Sequence, residues 1–199
     1  PLRSFAWHKN WWKHFGVDRV LYVLVVRDDK QSVVGIAPWF VESRSGQGRV
    51  LSWLGSGEVC SDYQSVLAQE EHADAVTEAI ADWLGAAATC DNAWDLLHLD
   101  SVPNNDLNVT QLVAQLWTGG QKFHREEGPN CWRIALPSSW EEYVESLSKS
   151  HRKQVRRFQR RQLDTGRATF HPVETEQELT RGFEILVDLH QRPSRPRSI

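Results

Sequence analysis

With 199 residues, 40% of them hydrophobic, and ten tryptophans, the chain suits one large domain, or one domain and the start of a second, and excludes wholesale disorder. The net charge of −3 conceals a division. Residues 1–145 hold 11 Lys/Arg against 20 Asp/Glu, a balance of −9, whereas residues 146–199 hold 12 against 6, a balance of +6. Such a division favours a local anion-binding surface over a general nucleic-acid binder, so a nucleic-acid partner is not expected.

The longest apolar runs, such as Val20 to Val26, are far too short to span a bilayer. No charged-then-apolar leader opens the chain, and a cytoplasmic protein is expected. Cys60, Cys90 and Cys131 are widely spaced with no Cys-x-x-Cys, which points to reduced, buried thiols rather than a disulfide framework. No close Cys/His pairing suggests a metal site. Methionine is absent, so a natural start is missing and a piece of a longer protein is expected.

In chain order, Ser4 caps an aromatic helix that ends at Phe15 before Gly16. Arg19–Arg27 and Ser32–Val41 form a hairpin across a polar turn, with Pro38 marking an edge or a bulge. Arg49–Leu54 and Tyr63–Leu67 are two further strands, separated by the loop from Gly55 to Asp62. Glu70–Ala88 has helical periodicity, Trp94–Leu99 is a strand, and Asp106 caps a helix through Trp117. Gln121–Arg125 and Trp132–Leu136 have strand character. A capping box, Ser139-Trp-Glu-Glu142, opens a helix to about Leu147. A basic helix follows over Ser150–Leu163, then a strand over Arg167–Val173 and a helix over Thr175–His190. The proline-containing tail after residue 190 is expected to be disordered.

Several strings in this order resemble one family. They are Trp11-Trp12-Lys-His-Phe-Gly16, Val33-Val34-Gly-Ile-Ala-Pro38, Leu54-Gly55, Ser61-Asp62-Tyr63 and Trp94-Asp95-Leu-Leu. Leu136-Pro-Ser-Ser-Trp-Glu-Glu-Tyr143 and Leu147-Ser-Lys-Ser-His-Arg-Lys-Gln-Val-Arg156 complete the set. Together they look like the CelD-type, cellulose-biosynthesis-associated acetyltransferases of the GNAT superfamily, relatives in fold of the Fem-type aminoacyltransferases. The resemblance implies an α/β (α+β) fold with a mixed, mostly antiparallel sheet flanked by helices. It further implies tandem GNAT-like domains: a first over 1–137, and a truncated second beginning over 138–190. The cofactor implied is acetyl-CoA or another acyl-CoA, bound mostly beyond residue 199 by the missing C-terminal domain. The implied partner is a small-molecule or glycan-linked amine. The sequence after His190 departs from the family pattern.

The candidate site residues fall in two groups. Asp62 and Tyr63 follow Gly55-Ser-Gly57, where an acid beside a phenol could orient an amine or take its proton; an Asx turn leading into a strand accounts for the same residues. Lys149, Arg152, Lys153, Arg156, Arg157, Arg160 and Arg161 form adjacent i, i+4 ridges, of which Arg152, Lys153, Arg156 and Arg157 are the expected anion-facing set. Like charges at that spacing oppose a helix, so acidic side chains, an anionic ligand or simple solvation must offset them. Arg44-Ser-Gly46-Gln-Gly48 looks like a phosphate loop but fits a hairpin turn better. His98 is expected as a core or edge residue, and the tryptophans mainly as core. The competing function is a non-catalytic binding module for an anionic glycan or nucleotide-linked precursor.

Overall fold

The computed structural model describes residues 1–87 and 94–192, which fall into two compact units divided between Asn130 and Cys131. Cys90, Ala88 and the tail from residue 193 lie outside the described residues. The protein is α+β, with a mixed five-stranded sheet flanked by helices.

In the first unit, helix α1 (Phe5–Phe15) starts where the Ser4 hydroxyl accepts from the Trp7 N–H at 3.3 Å and stops at Gly16. Strands β1 (Val20–Arg27) and β2 (Val33–Arg44) pair antiparallel. The Asp28 carboxylate organises their turn, accepting from the N–H groups of Lys30 at 2.9 Å and Ser32 at 2.8 Å. Strand β3 (Gly48–Trp53) pairs with the far half of β2, and the two-residue β4 (Leu67–Ala68) with its start. A 3₁₀ turn leads into α2 (Ala73–Ala87), which crosses over to β5 (Leu96–His98), parallel to β3. Helix α3 (Leu107–Thr118) then begins at the Asp106 cap.

Alternation along the central strand builds two cores. Ala37, Trp39 and Val41 of β2, with Leu51 and Trp53 of β3, pack against Val76, Ile80 and Leu84 of α2 and Val109, Leu112 and Leu116 of α3. Phe40 and Leu54 point the other way, onto Trp11 of α1. Val34 also joins the first core, although its parity from Ala37 is wrong. The register slips there, Val26 facing Gly35 and Arg27 facing Val33, and this bulge returns Val34 to the helical side.

Pro38 lies in the middle strand rather than at an edge, and the topology shows how it is tolerated. Its carbonyl accepts from Leu54 N–H at 2.8 Å, so its missing N–H faces the same side. There the sheet is open: β3 ends opposite Trp39 and β4 begins opposite Ile36. The loop from Leu54 to Val66 leaves and returns through that gap, and the expected strand over Tyr63–Leu67 shrinks to β4.

The second unit has α4 (Trp140–Ser146), α5 (Lys149–Phe158) continued by a π turn over Gln159–Leu163, and α6 (Glu176–Gln191). The Ser139 hydroxyl caps α4, but Glu142 reaches back to the Ser138 N–H rather than to that of Ser139. The complete capping box belongs to α6, between Thr175 and Glu178. The expected strands over Gln121–Arg125, Trp132–Leu136 and Arg167–Val173 are not formed. Their strand-like composition finds no ladder among the described residues, and a strand exists only through its partner.

Gly35 of β2 lies directly against Val76 of α2, where a Cβ would overlap the valine side chain. Gly35→Ala should therefore destabilise the fold by about 1–3 kcal/mol in urea denaturation, and adding Val76→Ala should recover part of that loss. At Gly57, with a φ of 87° and open space around it, alanine should cost only about 1–2 kcal/mol of backbone strain. A neutral Gly35→Ala, or a pair whose effects simply add, would contradict this packing.

Candidate functional site

A cleft of about 510 Å³ opens in the first unit between the end of α1, the turn before β1, the end of β2 and the first arm of the Leu54–Val66 loop. Its walls include Trp11 and Phe15, the side chains of His14 and Arg19, and the carboxylates of Asp18, Glu42 and Glu58. Arg19 forms its floor. The guanidinium stacks 5.5 Å from the Trp11 ring centroid and 5.1 Å from that of Phe40, and its Nε donates to Glu42 Oε2 at 2.8 Å. Glu42 Oε1 accepts from Arg44 Nε at 2.7 Å, and Arg44 in turn donates to the Ser52 hydroxyl at 3.1 Å. Arg44 Nη1 approaches His98 Nδ1 at 3.4 Å, which places that histidine on the exposed edge strand.

Glu42 is thus a carboxylate shared by two arginines. Burial by itself would raise its pKa, but hydrogen bonds from Arg19 and Arg44, and then their charges, outweigh burial and hold it below the ordinary glutamate value. Asp18 and Glu58 differ: both are exposed, and neither carboxylate has a hydrogen bond or ion pair among the described residues. Near the N-terminal end of α1, His8 is buried, and burial pushes its imidazole pKa down, favouring the neutral ring.

Asp62 and Tyr63 sit on the other arm of the same loop and do not line the cleft. Their position follows from their neighbours. Ser61 and Gln64 are buried, Ser61 accepting from the Trp7 indole N–H at 2.9 Å, so the two residues between them turn outward. A Cβ at Gly55 would lie 2.8 Å from both Ser61 Oγ and Gln64 Nε2, so only glycine lets the loop close over this polar floor. Tyr63 has a φ of 60° rather than strand geometry, and its carbonyl accepts from the Arg3 guanidinium. Cys60, on this loop, and Cys131 are exposed free thiols, against the expectation of burial. Trp11, Trp39 and Trp53 are buried as expected, but Trp83, Trp117, Trp132 and Trp140 are more than half exposed.

The four expected cationic residues lie in the second unit, on α5, and the structure divides them. Glu145 of α4 accepts from Arg152 Nη1 at 2.7 Å and also pairs with Arg156. Arg152 additionally donates to the Leu147 carbonyl at 3.1 Å, while its Nε is buried without a partner. Lys153 and Arg157 have no acidic partner among the described residues. The Arg44–Gly48 segment is the β2–β3 hairpin turn, with Gly46 at a φ of 77°.

No group of side chains suited to a metal ion occurs among the described residues, and no helix there is long and apolar enough to cross a membrane. No family model, curated protein or solved structure matches the chain.

The sequence reading missed Asp18, Arg19, Glu42 and Glu58. They lie on three separate segments, and only β2 pairing and the path of the loop assemble them. One consequence is measurable. Glu42→Gln should lower stability near neutrality by about 1–3 kcal/mol, because two charge-assisted hydrogen bonds lose their anion. Since the folded pKa is depressed, the contribution of Glu42 is complete above its ordinary value of 4.5 and disappears as pH falls through the folded value. The gap between native and variant proteins in urea melts should accordingly narrow in acid. A gap that stayed constant would remove the ion pairs from the account.

Proposed function

We propose that the chain is the acceptor-side portion of an acyl-CoA-dependent N-acyltransferase, which moves an acyl group from a thioester to an amine. The observation that carries this reading is the cleft, whose unpaired Asp18 and Glu58 face the same space as the Trp11 and Phe15 rings. A protonated amine suits that combination of carboxylate and aromatic surface. An amine must lose a proton before it can attack a carbonyl, and either acid could receive it. Asp62 and Tyr63, on the far arm of the same loop, are the second place where an acceptor could be held. The mixed sheet is compatible with the expected fold, as is the crossover through α2 to a parallel β5.

The cofactor half of the reaction has no such support in these residues. Arg44–Gly48 turns one strand into the next instead of opening a helix. The first turns of α2 and α6 carry Asp74, Glu176 and Glu178, which oppose a pyrophosphate. Neither that turn nor the starts of α2 and α6 offer the expected cradle, and the proposal places acyl-CoA mostly beyond residue 199.

Calorimetric titration with a panel of primary amines, followed by thiol release from acetyl-CoA, tests the assignment. Asp18→Asn with Glu58→Gln should weaken amine binding about tenfold through loss of both charges. Thiol release that requires the bound amine would support the transferase. An anionic glycan or nucleotide-linked precursor that binds where no amine does would favour the non-catalytic module instead. If no amine binds, or the double variant binds as well as the native protein, the cleft is not the acceptor site.

A further inference from the structure

The seven cations from Lys149 to Arg161 are not equivalent. Successive members of an i, i+4 ridge lie one above another, about 6 Å apart along the axis. In the ridge Arg152–Arg156–Arg160, Glu145 binds the first two, while Arg160, without an acidic partner among the described residues, donates through Nε to the Arg156 carbonyl at 3.3 Å. The adjacent ridge, Lys149–Lys153–Arg157, continues toward Arg161 in the π turn. All four of these side chains are exposed and lack an acidic partner among the described residues.

Its placement makes that ridge costly. Lys149 and Lys153 lie in the first turns of α5, where no acidic residue stands and where the helix dipole already presents positive charge. Each cation also repels the next at the spacing that disfavours like charges. On the neighbouring ridge, a glutamate of the preceding helix offsets part of the charge of two arginines. The outer ridge is left for an external anion.

We propose that Lys149, Lys153 and Arg157 bind a linear di- or triphosphate group, either free or carried by a nucleotide. Side chains from successive turns can converge on linked phosphates, whereas orthophosphate would engage fewer of them. An extended polyanion is disfavoured, because residues 1–130 of the same chain carry 17 Asp/Glu against 10 Lys/Arg. Arg152 and Arg156, expected from sequence to face the anion, instead support the surface through Glu145. This site is independent of the amine cleft and of the transferase reading.

The test is calorimetry of the whole chain with inorganic triphosphate, diphosphate, orthophosphate and ATP, paired with NMR of the arginine Nε–H groups. Triphosphate should bind more tightly than orthophosphate, with an affinity that falls as salt rises. Lys149→Gln with Lys153→Gln and Arg157→Gln should weaken triphosphate binding about tenfold or more, with helix content unchanged by circular dichroism. Glu145→Gln, which releases two arginines, should preserve or tighten it. In the native protein the Arg157 resonance should move on binding and that of Arg152 should not, a readout that stands even if the triple variant unfolds. ATP binding equal to that of triphosphate identifies the phosphates as the recognised group; ATP binding that survives the triple variant would overturn the proposal. So would triphosphate bound no better than orthophosphate, an unmoved Arg157, or duplex DNA bound more tightly than triphosphate.

Discussion

The first unit depends on one strand that is enclosed from every direction. Strand β2 is hydrogen-bonded to β1 along one edge and to β3 and β4 along the other, with α2 and α3 against one face and α1 against the other. Its residues answer to that position. Trp39 is fully buried opposite Trp53, with ring centroids 5.6 Å apart, and Phe40 packs 5.1 Å from Trp11 on the reverse face. Gly35 has no side chain because α2 occupies the space. Pro38 lacks an N–H where no neighbouring strand asks for one. The opening beside Pro38 lets out the loop that forms one wall of the cleft, so a constraint on packing becomes the origin of a site.

Charge is handled by the same device in both units. Glu42 binds Arg19 and Arg44; Glu145 binds Arg152 and Arg156. The environments differ, and so do the consequences. Arg19 lies against the Trp11 and Phe40 rings and, like Glu42, is only partly exposed, so this pair is screened less and forms the floor of the cleft. Glu145 is exposed, so its ion pairs are screened and contribute little to stability. What Glu145 does is engage two arginines of one ridge of the basic helix and none of the other. In each unit the residues left over, Asp18 and Glu58 in one and Lys149, Lys153 and Arg157 in the other, are those with the capacity to meet a ligand.

Most helices were legible because their signals are local. Ser4, Asp106, Ser139 and Thr175 each cap the helix that follows, through bonds spanning three residues. The first hairpin was equally plain, since Asp28 completes its turn with its own neighbours. Strands elsewhere were not. Trp132–Leu136 alternates as a strand should, yet alternation states only which face is apolar and cannot supply the edge that would pair with it. Asp62 and Tyr63 were visible as an acid and a phenol near glycines, but their outward turn depends on the burial of Ser61 and Gln64 beneath them.

Sequence by itself therefore determined the helix starts and stops, the apolar periods that feed the two cores, and the concentration of positive charge near the C-terminal end. Each rests on interactions within a turn or two of the chain, or on composition. Tertiary structure decided which carboxylates meet in the cleft, which strands exist, and which cations on α5 are already spoken for. Asp18, Glu42 and Glu58 are separated by up to forty residues, and no local rule relates them. Glu145 lies outside α5 and breaks the equivalence of its two ridges only because α4 and α5 pack together. Periodicity can show that a helix is basic, but only the positions of its neighbours decide which of that charge remains unspent.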